Sequence, residues 1–325
     1  MKYTMTVYPN KMGMEGFLGK IDSSIFHSFA TYDEYRRSQL NKNKDTHIKA
    51  IAQNRKYPIL PLVMLLTGFV SITALDQPLV FDLWHLPFQL IGGLCGIAFM
   101  LMWRRMDTSD KRSYLALGLP LLILGLAPIN TSLTVSHLLI LGSLFIAVLI
   151  LPPLILRDRS VITFKFFPER VDKLDVFYTL ISIPLAWAVF KLYFGVLSPE
   201  VPFNWPQPAE PEGAELVKLF LGINGVGIWD ELFFINICFA ILRSKFPMRI
   251  ANPAQAVIYT TVLCDMAFTG WGPVFVGFLA ITQGFMYERS RVLIWVLLVH
   301  LIVDYFLFQN IVSAYYPTLD VWWHP

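Results

Sequence analysis

Charge is scarce in this chain. Only 15% of its 325 residues are Asp, Glu, Lys or Arg, against about a quarter in an ordinary soluble domain, and that shortage excludes the polar surface a soluble protein of this length needs. Cysteine is scarce too: Cys95, Cys238 and Cys264 show no CxxC or Cys/His spacing, which leaves no disulfide framework and no zinc site to argue for. No spacing of His and carboxylates favours another metal, and neither a cofactor nor a nucleic-acid partner is expected. No internal repeat is evident, which weakens a transporter built from inverted repeats.

What is present is apolar. Hydrophobic residues make up 55% of the chain and mean hydropathy is +0.55, values that belong in a bilayer. A hydrocarbon core of about 30 Å takes about 20 helical residues, and the apolar runs divide into nine spans, at 58–78, 83–103, 113–130, 132–156, 176–197, 216–242, 254–272, 273–288 and 291–312. The fold class is therefore an all-α, polytopic transmembrane bundle of about nine spans, with membrane lipids as its surroundings. The breaks at Ala127-Pro128-Ile129-Asn130 and at Gly272-Pro273 read as turns, though kinks within longer helices have the same signature.

Charge distribution tests the count. With a cytoplasmic N-terminus, 24 of the 26 Lys and Arg fall on one side, in 1–56, 104–112, 157–173, 243–249 and 289–291, as the positive-inside rule requires. Lys191 and Lys218 stand near the outer ends of their spans, where they can snorkel.

The organisation expected is a basic N-terminal segment (1–56), five spans (57–197), a Pro-rich outer loop (198–215), a four-helix core (216–312) and an outer tail (313–325). The first segment is too polar for a signal peptide. Within it Met14, Phe17, Leu18, Ile21, Ile25 and Phe29 recur at helical spacing, which suits a helix lying on the membrane or one packed on the protein's own loops. Segment 161–175, with Phe164, Phe166 and Phe167 among basic residues, has a similar interfacial character.

Ionisable groups inside spans concentrate late in the chain: Asp230 and Glu231 in the sixth span, Asp265 in the seventh, His300 and Asp304 in the ninth. His85 and His137 lie toward helix ends and read as structural. At 1.5 Å per residue, Glu231 is about 18 Å from Arg243, Asp265 about 16 Å from Ala254 and His300 about 13 Å from Arg291, so all three sit at similar depth. His300 and Asp304 share a helix face. An acid facing lipid costs about 2.5–3.5 kcal/mol, so these groups are expected to point into one polar cavity walled by the sixth, seventh and ninth spans.

The run Asp230-Glu231-Leu232-Phe233-Phe234-Ile235-Asn236 resembles the EExxxR signature of the CAAX-protease and bacteriocin-processing (CPBP) intramembrane protease family. Residues 284–304, with Tyr287-Glu288-Arg289 and His300-x-x-x-Asp304, look like that family's last block. The resemblance covers about residues 176–312. It departs at Asp230 (for Glu), at Ile235 (for Arg) and at 263–268, where the family's FxxxH is replaced by Leu263-Cys264-Asp265-Met266-Ala267-Phe268.

The resemblance implies a glutamate-type peptidase acting on a membrane-associated peptide or protein, multi-pass in a bacterial inner membrane. Carried over by position, Asp230 is the general base, Glu231 its neighbouring carboxylate, and His300 and Asp304 the oxyanion side, with Asp265 a possible replacement for the intermediate motif. Two adjacent acids in low dielectric do not both ionise cheaply, so one can keep a proton for the leaving amine. A charged Asp304 would repel an oxyanion unless it is protonated or instead orients His300. A catalytically inactive relative that binds a partner, and a proton-coupled carrier, are the alternatives.

Overall fold

The computed structural model describes residues 59–73, 88–127, 134–156, 158, 160–197, 214–266 and 270–316. The basic N-terminal segment with its apolar register, His85, most of the Pro-rich loop and the tail beyond Tyr316 lie outside the described residues. Those described are helical throughout their ordered elements, with no strand among them. Among the described residues nine helices follow in order: α1 Ile59–Thr73, α2 Phe88–Trp103, α3 Thr108–Leu126, α4 Val135–Ile155, α5 Lys173–Leu192, α6 from Ala214 to Lys245, α7 Met248–Met266, α8 Gly272–Ser290 and α9 Leu293–Tyr315.

Four of them, α4, α5, α6 and α9, are long and apolar enough to cross a membrane; α1 and α2 are apolar but shorter. The outer surface fits that reading. Leu94, Ile97, Met100, Leu139, Leu154 and Phe278 are all exposed, and so wide an apolar surface is an interaction face rather than a solvated one. The first expected break separates helices, since α3 ends at Leu126 and α4 begins at Val135; the second comes earlier than expected, since α7 ends at Met266 and Gly272-Pro273 opens α8, where proline suits the first turn.

α6 is the central element. Its apolar stretch is 78% buried, against 22% for α4 and for α5, because α3, α4, α7, α8 and α9 all pack against it. Midway it changes pitch. Glu231–Phe239 is a π-helix, a rare stretch that tends to mark functional sites. In an α-helix of 3.6 residues per turn, Asn236 would stand about 140° round from Glu231; i→i+5 bonding instead brings it back toward the same side.

The basic segments meet at one end of the bundle. Lys245 pairs with Asp110 at 2.9 Å, Arg289 with Asp172 at 3.3 Å and with Asp175, and Arg243 grips Glu288 at 2.7 and 3.1 Å while Arg291 holds the same carboxylate at 2.7 Å. Segments 104–112, 157–173, 243–249 and 289–291, which the charge pattern assigns to one face, thus share one end.

Segment 161–167 is more than a plain loop. Its Lys165 and Phe166 carbonyls accept the N–H groups of Leu293 and Ile294 at 2.9 and 3.1 Å, satisfying two of the orphan donors that open α9. Meanwhile Phe164, Phe166 and Phe167 remain exposed. Nearby, Lys165 hydrogen-bonds Glu169 and holds its carboxyl below the usual carboxylate range.

Candidate functional site

Four of the five residues singled out in the sequence come together around one imidazole. α9 presents His300 and Asp304 from a shared face, and α6 presents Asp230 and Glu231 from successive positions that diverge round the helix. His300 Nδ1 lies 2.7 Å from Glu231 Oε1; His300 Nε2 lies 3.5 Å from Asp304 Oδ1 and 3.7 Å from Asp230 Oδ2. The imidazole is therefore held on its Nδ1 side by Glu231 and flanked on its Nε2 side by two aspartates. All four side chains are buried.

Close approach of α6 and α9 makes this possible. A Cβ built on Gly227 would overlap Asp304 Oδ2 and stand 2.7 Å from His300 Cδ2. Only glycine leaves room there.

The two adjacent acids have different surroundings. Glu231 is completely buried, and its Oε1 accepts from Tyr259 O–H and Gln283 Nε2, each at 3.3 Å, beside the His300 contact. Tyr259 O–H also lies 2.9 Å from His300 Nδ1, and Gln283 donates to the Val296 carbonyl at 3.0 Å. Asp230, in contrast, lines a cavity, and its Oδ1, like Asp304 Oδ2, has no hydrogen-bond partner among the described residues.

Tyr259 and Gln283 are the residues that sequence reasoning missed. Neither carries charge, and polar or aromatic residues at helix interfaces are common in bundles. The signal available was spacing, because Tyr259 lies as deep on α7 as Glu231 does on α6 once the start of α7 is placed at Met248.

That start also corrects the reading of Asp265. α7 begins at Met248, not Ala254, so Asp265 is the next-to-last residue of its helix. It lies six residues beyond Tyr259, about 9 Å along the axis, and not at the depth of the cluster. The reason is Pro253, which forfeits only its own N–H near the helix start and does not end it. The side chain of Asp265 lies outside the described residues.

The cavity differs from expectation as well. It measures about 400 Å³ and is walled by α5, α6, α8 and α9, with Leu263 the one contribution of α7. Its lining is overwhelmingly apolar, including Leu185, Phe190, Ile223, Phe275 and Leu307, and it turns polar chiefly where Asp230, His300 and Asp304 reach it. The polar groups thus form a closed cluster at the wall of an apolar chamber rather than a polar chamber of their own. Phe278 and Leu185 border it and are 66% and 58% exposed, so the chamber opens between α5 and α8 toward the apolar outer surface.

An aromatic column closes the cluster on its other flank. Phe145 of α4 stacks on Trp229 at 3.9 Å, Trp229 on Phe233 at 5.2 Å, and Phe234 on Tyr259 at 4.4 Å. Trp229 also donates to the Phe145 carbonyl at 3.0 Å. Among the described residues no group of three His, Cys, Asp or Glu has the arrangement of a metal site.

Compared with known proteins, the chain matches no family model, no curated protein and no solved structure. The class of protein that fold and site define is an all-helical bundle, with four helices able to cross a membrane and a buried acid/His cluster at the wall of an apolar chamber.

Proposed function

We propose that this protein is an intramembrane peptidase of the CPBP type, with about nine spans and the basic end of the bundle in the cytoplasm. The observation that carries the reading is the convergence of Asp230, Glu231 and Asp304 on His300 at the wall of a chamber open to the apolar surface. Burying three carboxylates costs too much to be retained for packing alone.

In this reading a membrane-associated peptide reaches the chamber sideways and places its scissile carbonyl near His300 Nε2. Asp230, which lines the chamber and whose Oδ1 is unengaged, takes a proton from water as the water oxygen attacks the carbonyl carbon. His300 Nε2 donates to the oxyanion that forms. The C–N bond then breaks, and the proton held by Asp230 passes to the leaving nitrogen, giving a carboxylic acid and an amine. Glu231, secured by Tyr259 and Gln283, holds the imidazole in place, and Asp304 orients it from the Nε2 side.

A second reading is favoured by Ile235. It is completely buried at the position of the motif Arg, so the site lacks the positive charge that residue would bring, as a binder without hydrolysis could afford. The experiment that separates the two presents purified protein in lipid with a panel of membrane-associated peptides and measures binding and cleavage independently. A peptidase cleaves at least one, and Asp230→Asn abolishes cleavage while binding persists. Tight binding with no cleavage of any peptide assigns the binder; pH-dependent uptake into vesicles with no cleavage assigns a carrier.

A further inference from the structure

On the far side of Glu231 from the chamber, a second set of polar side chains leads toward the basic end of the bundle. On α7, Asn252 and Gln255 precede Tyr259 by seven and four residues, a spacing that puts all three on one face. On α8, Gln283 and Tyr287 are four apart. On α6 the π-helical pitch turns Asn236 toward the side of Glu231. Asn236, Asn252, Gln255, Gln283 and Tyr287 are all buried.

Four of the five make hydrogen bonds along this track. Tyr287 O–H donates to Asn236 Oδ1 at 2.5 Å and approaches the Thr163 carbonyl at 3.5 Å, Asn252 donates to the Ile281 carbonyl at 2.9 Å, and Gln283 reaches Glu231. α8 makes room for the amide of Asn252 with a glycine, since a Cβ on Gly284 would overlap Asn252 Oδ1.

Polar atoms are nevertheless left over. Asn236 Nδ2, Asn252 Oδ1, both amide atoms of Gln255, Gln283 Oε1 and Glu231 Oε2 have no partner among the described residues. An unmet buried polar atom costs about 1–3 kcal/mol, and nearly all such atoms in folded proteins are paired. Six on one track would be prohibitive in a dry interior. Internal water, which makes about three hydrogen bonds to groups of this kind, meets the need.

We propose that α6, α7 and α8 enclose a file of internal water running from the Thr163 end of the bundle to Glu231, so that water and protons reach the acid cluster from the basic end. Substrate and water then approach the cluster from opposite sides. The proposal depends on the peptidase reading only for the use made of the water.

Silver ion, small enough to follow water and reactive toward thiols, tests the path in the full chain reconstituted in lipid vesicles. Gln255→Cys is treated from the side that carries Arg243, with native Cys238, buried on the same stretch of α6, as the internal control, and modification is read by mass spectrometry. Because thiol modification follows access, Gln255→Cys is expected to react at least about tenfold faster than Cys238, and adding Asn252→Leu to slow it by about tenfold. Reaction no faster than that of Cys238, or indifference to Asn252→Leu, overturns the path. If Gln255→Cys does not fold, Gln283→Cys, at the Glu231 end of the same track, serves in its place with the same Asn252→Leu block. Silver access without any peptide cleavage keeps the path and refutes the peptidase; cleavage without silver access does the reverse.

Discussion

Gly227 of α6 and Asp304 of α9 stand so close that a methyl group on the first would overlap Oδ2 of the second. The contact fixes where His300 can sit, because the same methyl would come within 2.7 Å of its Cδ2. Gly227→Ala therefore moves the imidazole or pushes α6 from α9. Overpacking of this kind costs about 1–3 kcal/mol, and a displacement of about 1 Å in a catalytic group lowers rate by about 100-fold. Thermal unfolding and cleavage measured together check it. Unchanged cleavage by Gly227→Ala would remove Asp304 and His300 from the reaction.

The two adjacent acids should separate under substitution. Asp230→Asn removes a group that faces the chamber and bonds little else, so it should lower turnover by at least about 100-fold, the usual worth of a general base, while leaving binding and stability nearly intact. Glu231→Gln removes the acceptor of the Tyr259 and Gln283 bonds and the partner of His300. Its loss should appear first as about 1–3 kcal/mol of stability and only secondarily in rate. Equal effects on both measures would mean that the cavity-facing and buried carboxyls are not divided as argued.

The acid/His cluster was legible in the sequence because charge within an apolar span is rare and costly. Asp230, Glu231, His300 and Asp304 stood out for that reason alone. Tyr259 and Gln283 did not, since neutral side chains carry no such cost and a span begun at Ala254 leaves out the first six residues of α7. The same start lends Asp265 a depth it does not have. Nothing in the run Glu231-Leu232-Phe233-Phe234 announces i→i+5 bonding, so the turn of Asn236 toward Glu231 could not be foreseen. The common end of the four basic segments was foreseen, because screening and snorkelling leave Lys and Arg few other places to go.

Tyr259 and Asp265 offer a direct comparison on one helix. Tyr259→Phe keeps the ring stacked on Phe234 at 4.4 Å and removes only the O–H shared with Glu231 and His300, a loss of about 0.5–1.5 kcal/mol. It should lower the rate several-fold, whereas Asp265→Asn should leave it within about twofold of wild type, as distant substitutions ordinarily do. A larger effect at Asp265 would restore it as the replacement for the intermediate motif.

Topology has its own test. Tags inserted at position 10 and within 200–212 should report opposite faces of the membrane, because the basic segments all fall on one side of the nine-span count. Equal access of an external protease to both tags would overturn that count.

The chamber gives the last prediction. With a volume of about 400 Å³ and Val226 in the chamber wall, Val226→Phe has room to direct a ring inward and fill space otherwise left to substrate. Filling a cavity with apolar atoms adds burial at about 25 cal/mol per Å², so the folded protein should be as stable as wild type or more so, in contrast to Gly227→Ala, where no space exists. Substrate binding should nevertheless weaken by at least about tenfold, roughly 1.4 kcal/mol, since the ring occupies the chamber before the peptide does. Turnover of peptide that is bound should change less, because Val226 bears no group that acts on the carbonyl. A variant that is stabilised yet binds peptide as well as wild type would show that substrate does not pass through this chamber, and the path to His300 would have to lie elsewhere.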